Sequence, residues 1–174
     1  VYESTGTASL DNGGNWIAKY PGVLGNSLKV STCDGASAWS STFSGTASAT
    51  AGSGSILMGD TGGLSVGDKL VFKDSVAGEL DAVEVTAIDE GLNTVTVSPA
   101  VPKSFSGATA TRYWGFFDSF DSAPGTSNWS TVNGNANSTD EMHVVVYDAD
   151  GTWSGIAGTV LERFPYVSKA SNAK

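Results

Sequence analysis

Asp140-Glu-Met-His-Val-Val-Val-Tyr-Asp-Ala-Asp-Gly151 decides how this chain is read. Met142 to Tyr147 is a nearly unbroken apolar run, β-branched at its centre and too short for an ordinary buried helix. Such a run is a strand buried on both faces. Asp148, Asp150 and Gly151 close it with turn chemistry: carboxylates that accept nearby amides, and a glycine free to take positive φ. Thr152 to Ile156 is then expected to return as a hairpin partner. Thr159-Val-Leu-Glu-Arg-Phe-Pro-Tyr-Val-Ser168 reads as a second strand. Pro165 cannot donate to a ladder, so the strand should stop there or lie at an edge. Ser168 is a candidate N-cap for a helix over the last residues. The expected core packing of this region comes from Val30, Val144, Val145, Val146, Val160, Leu161 and Phe164.

Upstream of this stretch the pattern changes several times. Val1 to Asn15 is polar and glycine-rich and reads as a loop. Trp16 to Tyr20 suits a turn or two of helix, ended by Pro21-Gly22. Leu28 to Cys33 alternates as a strand should. Ala36 to Ser55, built of Ser, Gly, Ala and Thr around Trp39 and Phe43, reads as a loop or linker. Five short strand patterns follow, at Ser55–Met58, Gly67–Phe72, Ala82–Ile88, Thr94–Ser98 and Ala108–Trp114, with Gly, Asp and Asn between them. In the third, Val83, Val85 and Ala87 are expected to face one way and Glu84, Thr86 and Ile88 the other. Strands so spaced imply a small β-barrel or sandwich. Thr131 to Thr139, rich in Asn and Gly, must be an exposed loop.

Bulk composition narrows the function. A chain of 174 residues with 40% hydrophobic content suffices for one ordinary domain or two small ones. Twenty-two glycines and only 16% charged residues favour strands joined by turns over helix bundles. The net charge of −9 argues against nucleic-acid backbones and anionic membranes as partners. Beginning at Val1-Tyr-Glu, with neither Met nor a signal-peptide pattern, the chain is read as an internal piece of a longer protein. The single cysteine, Cys33, allows no intrachain disulfide, which fits a reducing compartment. It reads as a small buried residue and not as a nucleophile.

Motifs for chemistry are sparse. His143, the only histidine, lies inside the apolar run, where a hydrogen-bonded structural role is expected over a catalytic one. Neither a Gly-x-Ser-x-Gly elbow nor a phosphate-binding glycine loop is present. Asp148-Ala-Asp150-Gly151 imitates the opening of a calcium loop, but the twelfth position from Asp148 is Thr159 where Glu would be required. A hairpin turn is the simpler reading. No catalytic, cofactor or metal residue is assigned. The five tryptophans share no spacing and are read as buried or subunit-contact residues.

Three stretches together resemble the tail sheath proteins of contractile-tailed bacteriophages. They are Trp16-Ile-Ala-Lys-Tyr-Pro-Gly-Val-Leu-Gly-Asn-Ser-Leu-Lys-Val30, Phe117-Asp-Ser-Phe-Asp-Ser-Ala-Pro-Gly-Thr-Ser-Asn-Trp129, and the run from Asp140 through Gly158-Thr-Val-Leu-Glu-Arg-Phe164 to Val167-Ser-Lys-Ala170. They occur in the family's order. The resemblance implies a mixed, strand-rich α+β fold: a sheath-type α/β core of subtilisin-like topology, discontinuous over 1–44 and 114–174. Between its two parts lies an inserted, outward-facing β-module at 45–113. The catalytic chemistry of that topology would be absent.

The resemblance further implies a structural subunit that stacks in rings around a tail tube and contracts to drive it through the host envelope. Its partners would be other sheath subunits, the tail tube protein, and baseplate and tail terminator proteins. Its setting would be the virion, assembled in the bacterial cytoplasm. Arms from both chain ends pair with strands of neighbouring subunits in this family, so this piece alone is expected to be a monomer. Asp148, Asp150, Glu162, Arg163 and Lys169 are the candidate intersubunit contacts. A tail adhesin whose inserted module binds host glycans is the alternative function. A cryptic subtilisin-like hydrolase is a third.

Overall fold

Ten strands, three very short α-helices and one 3-10 turn at Phe117–Ser119 are the regular elements of the described residues. The computed structural model describes residues 16, 18, 19, 22–75 and 77–170. In order, the strands and α-helices are α1 (Val23–Ser27), β1 (Leu28–Cys33), α2 (Ala36–Trp39), β2 (Ser40–Ala49), β3 (Ser55–Leu57), β4 (Lys69–Asp74), β5 (Gly78–Glu79), β6 (Val83–Asp89), β7 (Thr94–Ser98), β8 (Phe105–Tyr113), α3 (Asn128–Val132), β9 (Glu141–Asp148) and β10 (Thr159–Ser168). The chain divides into two units, residues 1–32 with 144–164, and residues 33–143 with 165–174.

The second unit contains a closed antiparallel barrel of six strands. Around it the order is β4-β6-β7-β3-β2-β8, and β8 pairs back onto β4. Closure places β8 between two partners: Ala110 stands opposite both Phe43 of β2 and Phe72 of β4. A closed sheet has no free edge, and alternate side chains must fill its interior. Ile56, Leu70, Phe72, Val83, Val85, Val95, Val97, Phe105 and Ala110 do so, all buried. Phe72 and Phe105 stack with ring centroids 4.9 Å apart. Each fully buried side chain of this size contributes roughly 1.5–3 kcal/mol.

Two expectations about this region are corrected. Ala36 to Ser55 is not a linker: its centre is β2, a ten-residue strand paired with β8 over most of its length. Small Ser, Thr and Ala residues give no hydrophobic alternation, so the strand is specified by its partner. Ala47 is fully buried opposite Ala108. In β6 the alternation breaks after Val85. A register shift puts Val85 opposite Val97 but Ala87 opposite Thr96. One extra residue reverses the faces beyond a bulge, so Ala87 is exposed and Ile88 packs against the core.

The barrel is fastened to the rest of its unit at one end. Ser40 and Tyr113 are paired, so the chain enters and leaves the barrel side by side. There the Trp114 amide donates to the Trp39 carbonyl at 2.8 Å. Arg112 holds Asp68 through two guanidinium nitrogens, at 2.8 and 3.2 Å, and reaches the Ala38 carbonyl with a third at 3.3 Å. A Cβ placed on Gly115 would sit 2.3 Å from the Gly67 carbonyl oxygen, so glycine permits this approach of two backbones.

The remaining sheet has three strands in the order β1-β9-β10. β9 is central, with His143, Val144 and Val145 buried, as a strand covered on both faces should be. β10 is an edge, exposed from Leu161 to Tyr166. Of the expected core residues, Val144 and Val145 are buried and Val30, Val146 and Val160 half-buried, whereas Leu161 and Phe164 are 40% and 43% exposed. The pattern of β10 alone could not reveal that it lacks a covering layer. Nor does the strand stop at Pro165. It continues to Ser168 because Tyr166 adopts φ 53 and sends its amide to a side chain.

Thr152 to Ile156 forms turns and no strand, and residues 16, 18 and 19 are not helical; among the described residues the first helical turn is at Val23–Ser27. Thr131 to Thr139 is exposed throughout, its first two residues ending α3. Of the helix expected from Ser168 onward, Lys169 and Ala170 are not helical and the rest, like the expected loop over 1–15, lies outside the described residues.

Gly115→Ala is expected to lower the unfolding free energy measured by chemical denaturation by about 1–3 kcal/mol, the cost of forcing a shift in a packed contact. A neutral result would mean that the two backbones separate freely. Residues 40–113 expressed alone are expected to give a dispersed amide NMR spectrum, because the barrel has its own core and adjacent ends.

Candidate functional site

Three polar side chains are buried along or beside β9: Asp140 just before it, His143 within it and Asp148 at its end. Burying such groups is unfavourable unless hydrogen-bond partners replace water. In each case the partners include a backbone amide, from Ser127 before α3, from Tyr166 in β10 or from the loop after β9.

Asp148 organises the loop that follows. Its Oδ1 accepts the Ser27 hydroxyl and the Thr152 amide, the latter at 3.0 Å. Its Oδ2 accepts the Trp153 and Ser154 amides, both at 2.8 Å, and the Ser154 hydroxyl at 2.9 Å. Burial pushes this carboxyl upward, but the bonds from Ser27, Ser154 and Trp153 outweigh it and hold the group well below the usual carboxylate range. Ser27 Oγ also accepts the Asp150 amide at 3.2 Å. Trp153 Nε1 donates to the Leu24 carbonyl at 2.8 Å, tying the loop to α1. Gly151 has φ 75, and a Cβ there would meet Ala157 N at 2.8 Å. The Asp-x-Asp-Gly sequence thus opens a loop whose amides converge on Asp148, and it does not lead into the expected hairpin partner at Thr152 to Ile156.

Asp140 does the same work in the second unit. Its oxygens accept the Ser127 amide at 2.9 Å, the Ser127 hydroxyl at 2.7 Å, the Ser138 hydroxyl at 3.1 Å and the Ser168 hydroxyl. The Ser168 bond is the main influence holding this carboxyl well below its ordinary range; burial opposes it, and Ser127 and Ser130 assist. Ser127 in turn caps α3 by accepting the Ser130 amide at 3.1 Å. Ser168, read from sequence as a helix cap, therefore serves here as a donor to Asp140, though it also accepts the Ala170 amide at 3.2 Å.

His143 is fully buried and held by main chain at both nitrogens. The Tyr166 amide donates to Nδ1 at 3.1 Å, and Nε2 lies 2.8 Å from the Ser122 carbonyl. Accepting at Nδ1 and donating at Nε2 selects the neutral Nε2-protonated tautomer. The ring stacks on Phe120 at 4.2 Å and meets the rings of Trp39 and Tyr166 edge-on. This is the structural histidine expected from sequence. Its bonds go to main chain, not to the serine and carboxylate that a nucleophilic triad requires.

The five residues singled out from sequence are distributed as follows. Asp148 is fully buried and faces its own loop. Asp150, Glu162 and Arg163 are exposed, the last two on β10. Lys169 is exposed and pairs with Asp34 at 2.8 Å. Sequence reasoning missed Asp140, Ser27, Ser127 and Ser168 as a framework. The one available signal was an acidic residue at each end of the apolar run. Cys33 is buried, and that burial pushes its thiol up. Among the described residues no group of three or more His, Cys, Asp or Glu side chains could hold a metal ion. No protein-family model matches the chain, nor does any curated protein or solved structure.

Asp148→Asn is expected to lower the melting temperature and shift Trp153 fluorescence, because an amide NH2 would face N–H donors. Both carboxyls have folded values below their unfolded ones. Their stabilisation is therefore complete above the ordinary carboxylate range and is lost as pH falls through and below it. Acid titration of stability should be steep in that window and shallower in Asp148→Asn. His143→Phe keeps the ring but leaves the Ser122 carbonyl and Tyr166 amide unpaired, and should cost roughly 2–4 kcal/mol in denaturant unfolding.

Proposed function

We propose that this chain is part of a contractile tail sheath subunit, its three-stranded sheet belonging to a core of sheath-type, subtilisin-like topology and its barrel to an inserted module. In this reading the protein is structural and not an enzyme. Copies stack in rings around a tail tube, between baseplate and terminator proteins, in a virion assembled in the bacterial cytoplasm. Contraction exchanges one set of contacts between rigid blocks for another of lower free energy.

The three sequence resemblances motivate the proposal, and one structural observation carries it furthest. β10 is a ten-residue edge strand with Leu161 and Phe164 exposed, beside a buried central strand. Long apolar edges are normally protected, because unpaired backbone groups recruit other strands. An edge left open on a well-braced sheet suits strand addition by a neighbouring copy, in which main-chain bonds give affinity and alternate side chains give register. Exposed Glu162 and Arg163 lie along that same edge and would tune register more than affinity. The six barrel strands, by contrast, close on themselves through β8 and β4.

The test uses this chain and the longer protein expected to contain it. Light scattering should find the 174-residue chain monomeric. Electron microscopy should find tubes or rings of the longer protein, which Leu161→Pro should abolish while leaving barrel signals in its NMR spectrum intact. Failure of the longer protein to assemble with itself, or ordered tubes from this chain alone, would overturn the proposal.

A further inference from the structure

We draw no further inference here: the strongest candidate, the exposed apolar residues Val23 and Leu24 of α1 together with Trp153 and Ile156 of the loop fastened to it, carries none because nothing in the structure shows what covers that surface.

Discussion

A polar group taken out of water must be given partners, and the residues from Asp140 to Asp148 carry three such groups. Each obtains its hydrogen bonds from chain that would otherwise have no regular partner: Ser127 at the start of α3, Tyr166 at the break in β10, and Thr152 to Ser154 in the loop after β9. Two carboxylates and one imidazole thus serve as ladder substitutes. They fix loops that lack a hydrophobic reason to be where they are. The depressed carboxyl values of Asp140 and Asp148 are the electrostatic expression of the same bonds.

The barrel follows a different logic. β8 pairs with β2 on one side and β4 on the other, which closes the sheet. Its stability comes from an interior filled with valine, leucine and phenylalanine, and little is asked of polar side chains. The polar contacts of note are at the end where the chain enters and leaves, with Arg112 bound to Asp68 and the Ala38 carbonyl. Two adjacent strands, the part-buried Arg112–Asp68 pair and the close approach of Gly115 to Gly67 gather at that end of the barrel.

Tyr166 illustrates how the two demands meet in one residue. Pro165 removes a donor from β10, and Tyr166 turns to φ 53, a region that costs a non-glycine residue of order 1 kcal/mol or more. In return its amide reaches His143, its ring packs on the imidazole, and its hydroxyl lies 2.9 Å from that of Ser122. The strand therefore passes its proline with the Tyr166 amide paired. Beyond that point the edge changes character, from exposed to half-buried at Val167 and Ser168.

Local pattern alone determined the strand-rich class, the buried central strand at Met142–Tyr147, five of the barrel's strands and the structural role of His143. In these places period-two alternation or an unbroken β-branched run carries the information within a few residues. Tertiary structure alone decided that Ser40–Ala49 is a strand, since Ser, Thr and Ala acquire a facing only when β8 supplies one. It decided that Leu161 and Phe164 face outward, since an apolar side chain on an edge strand is buried only if another layer exists to bury it. And it decided that Asp140 and Asp148 look inward, since the donors that make a buried carboxylate tolerable come from residues 27, 127 and 168, far away in the chain.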